Sequence, residues 1–407
     1  PGTGKTTTVA SDLVRRFEGH DVERLDIALA APTGKAADRM RLAVIAALDR
    51  VRPRAEVRQR ISALRATTVH RLLGYSPSRD SGRYLYGSGN HLPHDVIVVD
   101  EASMLSMSLM HRLLDAMRPD ATLMLVGDPD QLVSVDAGSV LGDIARVEDG
   151  AVARARTTLT VTYRFDTASS IGQLIAAIRE PHPSRDDIVM SLLDSHCEPD
   201  GVLDFIRADT DQAGLGRVAS MVNSWAAHMA DAAAAGDVVS ALTVQSTMQV
   251  LCATRRGPLG AGSWNRSVAS WLGARANRVW YPGRPVMVTR NDPANDLYNG
   301  DVGVVVDAGS QGLMVAFNGP DGPRLVPPVR LGDVETVHAL TIHKSQGSEY
   351  DHAVVVLPEE SRILTRELVY TGASRAKSRL TIVASEAAVR HAVTHDVQRA
   401  TGLATRL

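Results

Sequence analysis

Two short stretches of this 407-residue chain carry residue types that do chemistry on phosphates. One is Gly2-Thr3-Gly4-Lys5-Thr6-Thr7, and the other is Asp100-Glu101 at the end of Val96-Ile97-Val98-Val99. Glycines let a backbone curl until its N–H groups converge on phosphate oxygens, and a following helix turns its positive end towards them. Lys5 in that position reaches the β- and γ-phosphates, and the Thr6 hydroxyl joins a Mg²⁺ shell. Four apolar, mostly β-branched residues read as a buried parallel strand, and ligands of open α/β sheets sit beyond the carboxyl ends of such strands. An acid pair there can hold Mg²⁺ and orient a water. Strands ending in Asp-Glu also begin many ordinary helices, so the weight lies on the two stretches together.

Together they predict a P-loop NTPase that binds ATP and Mg²⁺. The full loop pattern is Gly, four residues, then Gly-Lys-Ser/Thr. Its first glycine and the strand feeding it would precede Pro1. The chain therefore reads as a piece of a longer protein, and a protein beginning at Pro1 is expected to bind nucleotide poorly.

The elements that must position these groups follow from apolar spacing. Val9, Leu13 and Phe17 mark a helix over Thr6–Phe17. Asp26–Ala31 reads as a buried strand that ends in Pro32-Thr33-Gly34-Lys35 and leads to a helix through Leu48. That turn is either a plain connection or a contact to a second polyphosphate chain, such as a nucleic-acid backbone. Arg50–Arg65 is basic and helical, with a solvated face. Thr68, His70 and Arg71 follow, and Tyr75–Pro93, rich in Gly, Ser and Tyr, reads as a mobile loop. A helix to about Met117 follows the acid pair, then a strand over Ala121–Val126 ending in Gly127-Asp128-Pro129-Asp130-Gln131. Gln131 suits a γ-phosphate sensor; the alternative is an Asp-Pro turn without a role.

A strand is expected over Thr157–Phe165, with a domain boundary near 150–160. Glu180–Asp211 reads as polar and irregular. Helices are expected over Gly214–Ala235, Ser263–Leu272 and Leu368–Ala376, the last carrying Thr371, Ser374 and Arg375. Strands are expected over Thr247–Ala253, Thr336–Ile342, Ala353–Leu357 and Leu380–Ala384. Between 283 and 332, short β-branched runs alternate with Asn, Asp, Gly and Pro turns, the pattern of a small antiparallel barrel.

Composition excludes little else. With 44% hydrophobic and 22% charged residues the chain is globular, and a net charge of −2 gives no global basic field, although a local groove can still be basic. Two cysteines without metal-ligand spacing suggest a reducing, cytoplasmic setting. No run of about 18 apolar residues announces a membrane span.

In order, the chain shows GTGKTT, APTGKAA, TVHRLLG, VVDEASM, VGDPDQL, TYRF, TIHKSQGSEYD and YTGASRAK. This set resembles the superfamily 1 DNA helicases, and within them the RecD family, the α subunit of exodeoxyribonuclease V (RecBCD). The resemblance implies an α/β fold with two RecA-like domains, 1–155 and 156–282 with 333–407, and an SH3-like β-barrel insert at 283–332 lying over the single strand. It implies ATP in the cleft between the domains, contacted by Gly2, Thr3, Gly4, Lys5, Thr6, Thr7, Gln131 and Gly347. Asp100 and Thr6 would hold Mg²⁺, Glu101 would activate the attacking water, and Arg164 and Arg375 would reach the γ-phosphate from the second domain. Single-stranded DNA would be gripped by Pro32, Thr33, Thr68 and His70 on one side and by Thr341, His343, Lys344 and Ser345 on the other. Gln346 and Gly347 would link that grip to nucleotide. Movement 5′→3′ and RecB- and RecC-like partner subunits come with the family. Stand-alone RecD-like and relaxase-type helicases share these motifs. A catalytically silent DNA-binding scaffold is the alternative of a different class. A nuclease built on Asp100 and Glu101 lacks the further Asp/Glu/Lys cluster its metal site would require.

Overall fold

The structure, a computed structural model, describes residues 3–19, 24–76, 84–133, 140–159, 168–196, 201–273, 278–292, 294–319, 322–359 and 361–397. They fall into two compact units, one within Pro1–Arg164 and the other within Phe165–Val397.

The first unit is built on β1 (Ile27–Ala31), β2 (Ala66–Thr68), β3 (Val96–Val99) and β4 (Thr122–Leu125), all parallel, in the order β2-β1-β3-β4. Every residue of β1 and β3 is buried. Alternate side chains leave a strand on opposite faces. Ile27, Leu29, Val96 and Val98 therefore meet Leu13, Phe17 and Val44 of the helices Lys5–Gly19 and Gly34–Val51. Ala28, Ala30, Ile97 and Val99 instead meet Leu109 and Leu113 of the helix Met107–Ala116. Cover on both faces explains why these strands read as continuous apolar runs. Burying each large aliphatic side chain there contributes about 1.5–3 kcal/mol. Because the strands are parallel, all four carboxyl ends emerge at one edge.

Three local expectations change. The helix after the acid pair is interrupted: a 3₁₀ turn, Ala102–Met104, comes first, and Ser106 then caps Met107–Ala116 by accepting from the Leu109 N–H at 3.3 Å. The basic stretch is two helices, since Arg52 turns left-handed (φ 53°) before Pro53 and the second runs Ala55–Ala63. The expected mobile loop is anchored over its described second part. The Leu85 and Tyr86 N–H groups donate to the Leu73 carbonyl at 3.0 and 3.2 Å, and Leu92 is buried.

The second unit contributes β5 (Leu203–Arg207), β6 (Met248–Cys252), β7 (Pro285–Val288), β8 (Val302–Asp307), β9 (Leu313–Phe317), β10 (Arg324–Val326), β11 (Val334–Thr336), β12 (Ala339–Thr341), β13 (Tyr350–Val356) and β14 (Ala376–Ala384). A parallel sheet runs β12-β6-β13-β14-β5. An antiparallel sheet, β10-β9-β8-β7-β11, is inserted between β6 and β12 around Val286, Val305, Val315 and Phe317. It extends past 332, because Val334–Thr336 pairs with β7. The later parallel strand is accordingly shorter than expected. His338, between the two sheets, is fully buried. Its Nε2 meets the Tyr281 hydroxyl at 3.1 Å and its ring stands edge-on to Trp225. Burial, aided by the Arg284 charge, pushes this imidazole down to about 3, so it is neutral and pins the insert to the helix Gln212–Ala234.

Glu180–Asp211 is not irregular throughout: it contains a helix, Arg185–Ser195, and β5 at the sheet edge. The expected strand over Thr157–Phe165 falls largely outside the described residues. No helix among the described residues is long and apolar enough to cross a membrane.

Candidate nucleotide and nucleic-acid sites

Lys5 is the first residue of the helix Lys5–Gly19, and Gly4 before it adopts φ 78°. The Thr8 N–H closes the turn onto the Gly4 carbonyl at 3.0 Å, and the first helical turn carries no acidic residue. An anion therefore meets a positive helix end and a lysine, with no carboxylate in the helix's own first turn to oppose it. Gly2 lies outside the described residues, whereas Thr3, Thr6 and Thr7 are half-buried beside the turn.

β3 delivers Asp100 and Glu101 as its sequence suggests, but with a backbone the sequence did not announce. The Asp100 N–H donates to the Ala30 carbonyl, and the Glu101 N–H donates to Asp100 Oδ1 at 2.8 Å. Glu101 is left-handed, φ 50° and ψ 39°. For a side chain with a Cβ such a conformation costs on the order of 1–3 kcal/mol and persists only when neighbours enforce it. The enforcing contact is the Ala102 N–H, which donates to the Val126 carbonyl at 2.9 Å. Gly127 makes that approach possible. A Cβ there would lie 3.1 and 3.2 Å from the backbone nitrogens of Ala102 and Ser103, and 2.5 Å from Leu141 Cδ2. Gly127→Val is expected to destabilise the fold by about 1–3 kcal/mol and to impair ATP turnover by moving the acid pair. Denaturant unfolding with steady-state hydrolysis checks this, and unchanged values in both would contradict it.

Burial, then the adjacent Glu101 charge, raise the Asp100 carboxyl to about 6; the Glu101 N–H and the Lys5 and Arg39 charges oppose the rise. Lys5 also acts electrostatically on Asp128, so loop lysine, acid pair and the end of β4 share one neighbourhood. Gln131 is buried there and donates from Nε2 to Asp128 Oδ2 at 3.1 Å. Sequence reasoning missed Arg39, which lies one helical turn after Lys35; a basic residue in the second turn after a strand was its only signal. One carboxylate and one hydroxyl, with phosphate and water completing the shell, is the donor set Mg²⁺ prefers over an all-protein cage. Among the described residues no three His, Cys, Asp or Glu side chains converge into such a cage.

At the same sheet edge, β1 ends in Pro32-Thr33 and β2 in Thr68, followed by His70. Both threonines cap helices: Thr33 Oγ1 accepts from the Ala36 N–H and Thr68 Oγ1 from the Arg71 N–H, each at 3.2 Å. An oxygen used as a cap acceptor keeps its own O–H as a donor. His70 is exposed.

In the second unit, β12 carries Thr341 into the 3₁₀ turn Ile342–Ser345. Through β6, Thr341 lies level with Val356 at the carboxyl edge of the sheet, whereas Tyr350 lies level with Ala376 at the opposite edge. Residues 346–349 thus run from one edge to the other, with Gly347 at φ 74°. Lys344 is ion-paired with Glu335, and Arg255 reaches the same carboxylate at 3.6 Å. Ser345 is buried and donates to the Ile342 carbonyl, while His343 stands half-buried. Arg375 is not on a helix: Arg366–Ala373 ends before it, and it sits in the turn entering β14. Only 3% of it is exposed. Its guanidinium donates to the carbonyls of Thr371 at 3.0 Å and Ser348 at 3.3 Å, and to Ser374 Oγ at 3.1 Å. Arg164 lies outside the described residues.

Comparison with known proteins agrees with the motif order. The AAA domain family model matches residues 1–137, and the UvrD-like helicase C-terminal domain model matches 336–383. The RecBCD enzyme subunit RecD of Mycolicibacterium smegmatis is 45% identical over 424 aligned residues, spanning 100% of this chain and 71% of that protein. The ATP-dependent RecD2 DNA helicase of Deinococcus radiodurans is 33% identical, over 93% of this chain and 45% of that one. A crystal structure of Bacteroides Pif1 bound to single-stranded DNA aligns with 94% of this chain and 86% of its own at 16% identity, with a TM-score of 0.48. On its full-length identity to the RecD subunits, the chain belongs to the RecD family of superfamily 1 helicases.

Proposed function

We propose that the chain is an ATP-dependent DNA helicase that moves 5′→3′ along single-stranded DNA, as the motor subunit of a cytoplasmic RecBCD-type helicase-nuclease with RecB- and RecC-like partners. The observation that carries this reading is the parallel first sheet: one edge brings together the ends of β1 to β4, bearing Pro32-Thr33, Thr68, Asp100-Glu101 and Gln131. In this reading 1–155 and 156–282 with 333–407 are the two RecA-like domains. The inserted antiparallel sheet, which runs on to Thr336, is an SH3-like barrel in the proposal and lies over the strand.

Each residue then has a task. Gly4 and Lys5 hold the phosphates, and Thr6 and Asp100 would hold Mg²⁺, which neutralises charge on the β- and γ-oxygens when bound. Glu101 takes the proton of the attacking water, and Gln131 orients that water once it exchanges its bond to Asp128. Arg375 stabilises charge on the γ-phosphoryl group as it passes from ADP to water, by giving up the Ser348 carbonyl, with Arg164 as its companion. Because Ser348 follows Gln346-Gly347, that exchange pulls on the turn bearing His343, Lys344 and Ser345. Thr341 and these three residues on one side, and Pro32, Thr33, Thr68 and His70 on the other, grip phosphates without reading bases, as tracking along any sequence requires. Alternating grip moves the strand as nucleotide is bound and spent.

Strand displacement on duplexes with a 5′ or a 3′ single-stranded tail tests the proposal. ATP-dependent displacement of the 5′-tailed duplex is expected. Displacement confined to the 3′-tailed duplex would overturn the polarity, and none on either would overturn the helicase reading.

A further inference from the structure

We propose that the first unit carries a pocket for one unstacked nucleobase of a single DNA strand, walled by Tyr84, His70 and Arg112. This proposal rests on the reading that Pro32, Thr33 and His70 lie along DNA.

The pocket is a cavity of about 260 Å³ between the ends of β1 and β2 and the start of the helix Met107–Ala116. That is below the roughly 300–1,000 Å³ of sites for drug-sized ligands, and it suits a single ring system. Its walls are aromatic and cationic. The Tyr84 and His70 rings are inclined by 29° with centroids 6.3 Å apart, and the Arg112 guanidinium lies 4.7 Å from the centre of the Tyr84 ring. Met104 and Leu109 add apolar surface, and among the described residues no lining residue is acidic. Tyr75, 41% exposed, packs on Tyr84 at 5.2 Å, so a surface cluster of π faces continues beyond the cavity. Flat, weakly hydrated faces beside a guanidinium stack on any base, because every base has a π face. Ser106 and Ser108, whose hydroxyls are linked at 3.1 Å, supply an edge that both donates and accepts, which suits sequence tolerance.

Position distinguishes this site from a mere aromatic patch. Pro32 and Thr33 line the same cavity, so a strand whose phosphate lies on the Thr33 hydroxyl has a base within reach of Tyr84. Paired bases cannot enter, since their edges and faces are held in the duplex, so the pocket selects single strands. The fold maintains it deliberately. Gly74, at φ 69°, lets Leu85 approach closely: a Cβ there would lie 2.5 Å from Leu85 Cβ, and Leu85 is the neighbour of Tyr84.

The test compares binding of an oligothymidylate with an abasic strand of the same length and phosphate count, across a salt series. The proteins are wild type, Tyr84→Phe, Tyr84→Leu and Arg112→Gln, the last on an exposed helix position that folding tolerates. Wild type and Tyr84→Phe are expected to favour the base-bearing strand roughly 5- to 100-fold. Tyr84→Leu should lose most of that preference and Arg112→Gln part of it. The salt slope, which counts phosphate contacts, should not change. Equal wild-type affinity for both strands would overturn the pocket, as would a full preference persisting in both Tyr84→Leu and Arg112→Gln; salt-dependent binding in those cases leaves the DNA reading standing. Failure of wild type to bind either strand would overturn that reading and the pocket with it.

Discussion

Glu101→Gln is expected to reduce ATP turnover by about 10²–10⁴-fold, the usual worth of a positioned general base, while nucleotide affinity changes little. The substitution keeps size and hydrogen-bonding shape but removes the proton acceptor. Glu101 is held by its backbone, through the left-handed turn and the Ala102 N–H to Val126 carbonyl bond, and not by its carboxylate. The amide should therefore sit where the acid sat. Loss of the Glu101 charge also removes one of the two influences that raise Asp100, so Asp100 should be more fully ionised in the variant at neutral pH. Single-turnover hydrolysis together with titration of a fluorescent ATP analogue separates the two effects. Turnover within a few-fold of wild type would show that another group takes the proton.

Arg375→Lys carries the other large expectation, a fall in turnover of about 10³–10⁵-fold, the range seen for arginines that stabilise the phosphoryl-transfer transition state. Lysine retains the charge but not the fork, and the fork is what reaches Thr371, Ser348 and Ser374 together. Leaving buried carbonyls unpaired costs about 1–3 kcal/mol, so a loss of stability will accompany the loss of activity. The two are separable. A purely structural arginine would lower the melting temperature and let turnover recover when the variant is assayed well below it. An arginine that acts on phosphate leaves turnover depressed at every temperature at which the variant is folded.

The sites that were legible in the sequence are those written within a few neighbouring residues. Gly4-Lys5-Thr6 and the Val96–Val99 run ending in acids need only local geometry to declare themselves. The parallel direction of β1 to β4 then brings their tails together, as alternation of strands and helices implies. What stayed hidden depends on contacts across long separations or on backbone states no residue type enforces. Nothing in Asp100-Glu101-Ala102 announces a left-handed Glu101, because the enforcing carbonyl belongs to Val126. Arg375 looked like part of a helix, and its partner Ser348 lies 27 residues away. In Glu180–Asp211, Pro181, Pro183 and Pro199 give the stretch the composition of irregular chain. The helix Arg185–Ser195 nevertheless has a recognisable start, with Asp186 and Asp187 in its first turn, and Val189, Met190 and Leu193 on its buried face. The Tyr75–Pro93 stretch has a loop's composition, yet the Leu73 carbonyl fastens its described second part in place.

ATP hydrolysis by the full-length protein, measured with and without single-stranded DNA and repeated for Lys5→Gln, bears most directly on the motor assignment. The expected result is a rate that rises strongly with DNA in the wild type and is abolished in Lys5→Gln, which should still bind the strand. Undiminished hydrolysis in Lys5→Gln, or a wild-type rate indifferent to DNA, would contradict it.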